Sequence, residues 1–402
     1  MTLRFLGKLW LLIVVNLVLG GRSVRAAAMG YPLLGCQDHV FMAGGYTLDN
    51  HNSQTNSYLI GRHSENESYV QDSLLSRKRT LTINAAQGYS NVSTNQPYSF
   101  RRGLMGTTFI VTLYAPDSLT AQRAYKAVSA RMDTLNQIMS DYLDGSELNL
   151  LSETSGQGRW VHVSPTLFDV LMKAKTIARQ SGGRYDPTIG PLSQLWRRAV
   201  RQRTRGEFAF PDANQRRKAR RAVSWRYIEL DPGSQSVRLR KSGMRLDLGG
   251  IGQGFAIDEA QKVLHQHGIY VFLLDIGGDI LVGDPPPTQP EGWRIGLPKG
   301  SHADAGHARA EADSVIYLKN AAITTSGDTE RHLDINGRRY SHIMNPKTGL
   351  GLRHFVQATV QAPTGTYADA LTKVFSVARP GQRKRLQRTF PEARVWIREK
   401  KG

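Results

Sequence analysis

At 402 residues, 40% hydrophobic and 21% charged, the chain has an ordinary globular composition, with length for one large domain or two smaller ones around a real core. Its one cysteine, Cys36, excludes an internal disulfide. The formal net charge of +20 predicts attraction to polyanions: nucleic acid, anionic lipid or a phosphorylated small molecule.

The first residues are basic at Arg4 and Lys8, followed by the apolar run LWLLIVVNLVLGG and the small residues of AAAM. The run is shorter than the ~20 residues of a bilayer span, and the pattern reads as a secretory signal over residues 1–28; an uncleaved anchor is the alternative. Cys36 sits in PLLGCQ, close to the pattern at which a cysteine is lipidated, although Arg22 and Arg25 separate it from the apolar run. It is either a lipid-bearing residue or an inert thiol. Residues 29–100, rich in Asn, Ser, Gln, Gly and Tyr, read as a flexible arm. The folded domain is expected over 101–392, with 393–402 as a tail.

TTFIVTLYA, Thr107–Ala115, reads as a strand, and Asp117 or Ser118 as the cap of the next helix. Ala124, Val128, Met132, Leu135 and Met139 recur at helical spacing and form its buried face. Ser164-Pro165 starts a second helix, with Leu167, Val170, Leu171, Ala174, Ile177 and Ala178 inward and Gly182-Gly183 as its stop. Two basic runs follow, RRAVRQRTRG from Arg197 and QRRKARRA from Gln215. They read as a solvated face or as a surface for polyanions; few aromatics accompany them and no nucleic-acid motif surrounds them, which argues against nucleic acid. Strands are expected at YIEL, SVRLR and MRLDL, then a helix over Phe255–His267 burying Phe255, Ala260, Val263 and Leu264. YVFLLDI, WRIGL, SVIYL, AAITTS, HLDI, RYSHI and FVQATV read as strands, with Asn336-Gly337 as a hairpin turn and DPPPTQPEG as a loop. Helices over Ala368–Val377 and Gly381–Phe390 complete an α+β class with a largely antiparallel sheet.

Glycine crowds one junction. In RLDLGGIGQGF, Gly249, Gly250, Gly252 and Gly254 give G-G-x-G-x-G, which is not the dinucleotide fingerprint. Such a turn can hold an anion against a helix N-terminus, or it can permit tight strand–helix packing. Asp247 and Asp275 each precede a Gly-Gly pair and can accept from a ribose or heterocycle, or cap a turn. Asp186 is held extended by Pro187, as a ligand contact or a buried turn carboxylate. His342 precedes the turn at Asn345-Pro346 and is either structural or a general base. Asp369, Thr372 and Lys373 can share a helix face; Asp with Thr is an oxygen donor set suited to Mg²⁺, or Asp369 complements the helix dipole.

In order, MGT, MSDYLDGSEL, DPTIGPL, DLGGIGQGFAID, LLDIGGDI, SGDTERHLDINGRRYSHIMNPKTG and ADALTK resemble the ApbE family of FAD:protein FMN transferases, over roughly Arg101 to Phe390. The resemblance implies a T-fold-related, two-lobed α+β domain and Mg²⁺-dependent transfer of FMN from FAD to a threonine or serine of a target protein, with release of AMP. It implies flavin or FAD contacts at Met105, Tyr142, Asp186, Asp247, Gln253 and Ile343. It implies metal ligation at Gly250, Asp369 and Thr372, and His342 as the base that takes the acceptor's proton. The implied partners are a flavin-accepting protein and FAD; the basic runs, read from their charge, can meet an anionic membrane surface or the partner protein. The implied location is the periplasmic side of the cytoplasmic membrane.

Three positions depart from the family's pattern. Gln253 stands where lysine is common, Lys373 where a threonine follows the metal-binding aspartate by four, and Asn345 where an aspartate precedes the proline. A protonated lysine cannot ligate Mg²⁺, though its ammonium can replace part of the metal's charge or reach a phosphate. The alternative function is therefore FAD binding with weak or no transfer; a basic scaffold on membrane or nucleic acid is the third reading.

Overall fold

The computed structural model describes residues 16–19, 22–25, 95–204, 210–297, 314–327, 332–335 and 338–400. Two compact units divide the chain, 1–41 and 42–402. In the first, β1 (Asn16–Leu19) pairs antiparallel with β2 (Arg22–Arg25). Cys36 and nearly all of the expected arm lie outside the described residues.

The second unit is built on an antiparallel sheet. Its strands are β3 (Gln96–Leu104), β4 (Thr107–Ala115), β8 (Phe272–Ile276), β9 (Asp279–Val282), β12 (Ala321–Gly327), β17 (Phe355–Ala362) and β18 (Arg394–Lys400). Among the described residues this is a seven-stranded sheet in the order β18-β17-β12-β9-β8-β4-β3. Three helices cover one face: α1 (Ser118–Met139), α6 (Gly252–Gln266) and α7 (Gly365–Val377). Strand alternation splits the side chains: Phe109, Val111 and Leu113 join the helical core, while Tyr114, Leu273, Ile280 and Val282 pack with Trp293 on the far face. There β10 (Trp293–Leu297) and β11 (Ser314–Leu318) form an antiparallel ribbon.

The remaining elements bring the site's segments together. They are α2 (Glu147–Glu153), β5 (Val161–His162), α3 (Pro165–Gln180), α4 (Gly190–Thr204), α5 (Ala213–Arg220), β6 (Ile228–Asp231) and β7 (Ser236–Leu239). Strands β5, β7 and β6 form a small sheet whose Val237 and Leu239 join the main core. Two hairpins, β13 (His332–Ile335) with β14 (Arg338–Ser341) and β15 (Met344–Asn345) with β16 (Leu350–Gly351), lie between β12 and β17 in sequence, and α8 (Pro380–Thr389) precedes β18.

The helical faces expected from spacing are all buried in α1 and α3. Asp117 caps α1, accepting from the Thr120 N–H at 2.7 Å, and Ser164 caps α3 from the Leu167 N–H at 3.2 Å. Several boundaries differ. Gln96–Phe100, within the expected arm, pairs with β4 as part of edge strand β3, whose alternating partial exposure includes no apolar run. Arg394–Lys400, within the expected tail, pairs with β17 as β18. MRLDL is not a strand: it makes one isolated bridge, Arg245 to Ile189. The strand RYSHI stops at Ser341, so His342 lies in a bend. Asn336 and Gly337 lie outside the described residues; Ile335 and Arg338 on either side are paired. Helix α6 begins at Gly252 instead of Phe255, and α7 at Gly365, where Thr364 caps it from the Tyr367 N–H at 3.3 Å.

Candidate functional site

Helices α6 and α7 cross at glycines. A Cβ on Gly254 would lie 2.1 Å from the Gly365 carbonyl oxygen, and one on Gly365 2.5 Å from that of Gly254. Only hydrogen at both positions lets the backbones approach this closely. The crossing allows each helix to cap the other. Asp258 of α6 accepts from the Gly365 N–H at 2.6 Å, the Thr366 N–H at 2.9 Å and the Thr366 hydroxyl. Asp369 of α7 accepts from the Gly254 N–H at 3.1 Å. The carboxylate at the start of α6 is thus the chain's own, and it favours the positive end of that helix. The earlier start of α7 puts Asp369 in its second turn, so its charge serves α6 and not its own helix's first turn.

Asp369 is fully buried, and its second oxygen pairs with the Lys373 ammonium one turn on. Burial opposes the charge on Lys373, but Asp369 and Asp279 outweigh it and raise its pKa. Asp279 opens β9 on the helical side, and burial, then Asp369 and Asp275, push its pKa well up against the opposing effect of Lys373. Gly250 rests here too: a Cβ on it would meet the Tyr185 ring at 3.2 Å and the Lys373 stem at 3.4 Å. The Tyr185 hydroxyl is buried with no hydrogen-bond partner among the described residues, and its pKa is raised by burial, then by Asp369, Asp247 and Asp186. Thr372 is also buried, but its hydroxyl lies 2.6 Å from the Asp369 carbonyl oxygen and 2.8 Å from Ser326 Oγ, tying α7 to the start of the SGDTER segment.

This donor set fits a hard cation. Two buried carboxyls, Asp369 and Asp279, face one ammonium, and a buried hydroxyl, that of Tyr185, adjoins Asp369. Asp369 and Asp279 with the Gly250 backbone are the groups that would hold it, Lys373 giving way at Asp369.

A second cluster lies around Asp247. Its carboxylate accepts from the Ser193 hydroxyl at 2.6 Å, the Gly249 N–H at 2.9 Å and Arg197 at 3.3 Å. Arg197 also pairs with Asp141, and its guanidinium carbon lies 4.5 Å from the centre of the Tyr142 ring. Burial, then Asp247, raises the pKa of Asp141, against the opposing pull of Arg197. Tyr142 is 75% exposed, an aromatic face left open above a cation.

The other expected residues are placed as follows. Met105 adopts φ 48° in the turn between β3 and β4, and that turn meets the β8–β9 turn, where a Cβ on Gly277 would lie 2.7 Å from Thr107 Oγ1. There Asp275 accepts from the Gly278 N–H at 2.9 Å. Asp186 is buried with both oxygens engaged, by the Thr188 N–H and hydroxyl at 3.0 and 2.6 Å and the Trp225 N–H at 3.0 Å. Burial pushes its pKa up against those bonds. Gln253 is half-buried in the first turn of α6. His342 is half-buried beside Ile343, which packs with Leu352 and Val356. Their hairpin reaches the rest through α4: Tyr340 packs on Trp196, and a Cβ on Gly349 would meet Leu192 at 3.0 Å. Asn345 accepts from the Lys347 N–H at 2.9 Å, as a turn residue does.

Sequence reasoning passed over Arg197, Asp258, Tyr185 and Asp279. Arg197 was hidden in a basic run. Asp258 had a signal, since it follows Gly254 by four residues, one helical turn, and so shares a face with it.

The fold and site define an α+β protein with a buried acidic centre at a helix crossing and an open aromatic platform beside it. The family model of ApbE matches residues 105–396, and the chain belongs to the ApbE family. It is 29% identical over 274 residues to the FAD:protein FMN transferase of Haemophilus influenzae, covering 67% of this chain and 77% of that one. To the FAD:protein FMN transferase of Treponema pallidum it is 28% identical over 308 residues, 73% and 82% of the two chains. The crystal structure of the ApbE protein of Thermotoga maritima superposes with a TM-score of 0.65 at 25% identity, over 76% of this chain and 94% of that one. The apo flavinyl transferase ApbE of Pseudomonas stutzeri shares the fold, with a TM-score of 0.65 at 21% identity over 77% and 93%.

Proposed function

We propose that this chain transfers FMN from FAD to the hydroxyl of a threonine or serine in a target protein, forming a phosphoester and releasing AMP with Mg²⁺ present. The observation that carries the reading is the meeting of dispersed family motifs in one place: DLGG, DPT, LLDIGGD and ADALTK around Asp369, and MSDY with DLGG around Arg197. The acceptor oxygen attacks the phosphorus on the FMN side of the diphosphate, and the bond to the AMP oxygen breaks. The acceptor's proton passes to the His342 imidazole, and the electron pair of the broken bond leaves with AMP. The divalent cation, when bound, offsets charge on the diphosphate oxygens. Lys373 supplies a fixed positive charge near the same position, and the exposed face of Tyr142 gives the flavin a stacking surface.

Incubation with FAD, Mg²⁺ and a threonine-bearing acceptor protein tests the reading. An acceptor mass increase of one FMN, with stoichiometric AMP, supports it. The Lys373–Asp369 ion pair favours a second reading, flavin binding with weak or no transfer; a yellow stoichiometric complex releasing no AMP would select that. The chain's proposed location is the periplasmic side of the cytoplasmic membrane, with Cys36 as a lipid anchor. The basic α4–α5 segment is proposed to rest on anionic lipid.

A further inference from the structure

We propose that Arg197 is a positioning residue for the flavin end of the ligand, acting through Tyr142 and Asp247. The inference rests on the flavin reading given for Tyr142. Arg197 lies at the middle of α4, in a basic run whose next residue, Arg198, is exposed. Arg197 instead turns inward, with 19% of its side chain exposed. It pairs with Asp141, lies 3.3 Å from Asp247 and 3.1 Å from Ser193, and stacks under Tyr142 at 4.5 Å. One planar group therefore joins three segments distant in sequence: the loop after α1, helix α4 and the turn before α6.

The chemistry follows from what each partner lacks without it. Asp141 and Asp247 are largely buried carboxylates side by side, and like charges that close repel; one guanidinium nitrogen, Nη2, reaches both. Tyr142 is a surface ring that would otherwise sample several rotamers. With a cation against one face its orientation is fixed and the other face stays open. Holding a platform ring before the ligand arrives removes an ordering cost, which for one side chain corresponds to roughly 2- to 10-fold in affinity. Arg197 thus acts on the ring system and not on the adenosine end.

Binding of FAD, FMN and ADP, read by flavin fluorescence quenching and by calorimetry, tests this in Arg197→Met, Arg198→Met, Tyr142→Ala and the Arg197→Met/Tyr142→Ala double variant. Arg197→Met weakens FAD and FMN by roughly 3- to 10-fold, diminishes the quenching of bound flavin and leaves ADP within 2-fold; Arg198→Met changes none of these. In the Tyr142→Ala background the Arg197 substitution costs FMN less than 2-fold. In turnover the KM for FAD rises while kcat changes little. If Arg197→Met fails to fold, Arg197→Lys, which keeps the charge without the planar group against Tyr142, gives the same comparison with a smaller loss. Equal losses for FMN and ADP, or a lowered melting temperature with flavin quenching intact, overturn the proposal in favour of a purely structural role. Tyr142→Ala without effect on quenching overturns the flavin reading and this inference together. A Tyr142 effect with a silent Arg197 overturns the inference alone.

Discussion

Substituting Gly254 by alanine tests whether the glycine-rich turn serves the helix crossing. The added Cβ would lie 2.1 Å from the Gly365 oxygen, 2.5 Å from its carbonyl carbon and 2.7 Å from Asp369 Cβ, so α6 and α7 must separate by more than an ångström. Overpacking of this kind costs about 1–3 kcal/mol. Separation also stretches the hydrogen bond from the Gly254 N–H to the Asp369 carboxylate, a bond to a charged group worth about 1.5–3 kcal/mol. Alanine's helix propensity returns at most about 1 kcal/mol. The net loss is about 2–4 kcal/mol, which for a domain of this size lowers the melting temperature by roughly 3–6 °C. Gly252→Ala is the matched control two residues away: its Cβ would meet nothing closer than Leu248 Cβ at 4.0 Å, so its stability stays within about 0.5 kcal/mol of the parent. Calorimetric melts of the two variants decide. Melting temperatures within a degree of each other would refute the close-packing account and return the glycine to the ligand.

Tyr185→Phe removes a buried hydroxyl that has no partner, so the ligand-free protein should melt at the same temperature or higher, a gain of up to about 1 kcal/mol; a marked loss in thermal denaturation would show a missed partner. Lys373→Met leaves Asp369 buried without its cation and should destabilise the ligand-free protein by about 2–4 kcal/mol in urea unfolding, with much of the loss restored by Mg²⁺; no restoration counts against a metal at Asp369. Acid titration reports on Glu259, where burial pushes the pKa up but pairing with Lys262 and Arg131 outweighs it and holds the pKa below the usual 4.5. A depressed carboxylate contributes stability that is fully present above its unfolded value and lost as pH falls through the folded one. Glu259→Gln should therefore flatten the decline in unfolding free energy below about pH 4.5, and an unchanged acid limb would remove this ion pair from the account.

The helices were legible because their apolar spacing is regular: every residue assigned inward in α1 and α3 is buried. The sheet's edges were not. Strand β3 alternates partial exposure, and β18, RVWIREK, looks like a charged tail until its pairing with β17 is known. Periodicity reports burial, and an edge strand has little of it. At the site, Asp369 and Gly250 were found by motif, yet the meeting of Gly250 with Tyr185 and Lys373 joins segments far apart in sequence, which no local window contains. Spacing alone could place Lys373 on the face of Asp369, four residues on. It could not show that Asp258 returns the cap from the other helix, because that exchange exists only once both glycines have brought the backbones together.

The glycine cluster thus has two physical roles that composition could not separate. Gly254 serves packing, and the N–H it exposes is taken by Asp369, so this end of α6 has an anion before any ligand arrives. Gly250 lies instead beside the unpartnered Tyr185 hydroxyl and the Lys373 stem, where a side chain would fill the space next to the carboxylates. The two clusters are balanced differently. At Asp247 and Asp141 the guanidinium of Arg197 meets two carboxylates, and Asp247 also accepts from Ser193 and Gly249. At Asp369 and Asp279 one ammonium faces two carboxyls, and burial, then Asp369, pushes the pKa of Asp279 well up. A diphosphate brought to that second cluster would add negative charge to an acidic centre. Under the proposed function the cation is therefore demanded by charge balance at binding, before any bond is broken, while the net charge of +20 draws the anion in from a distance.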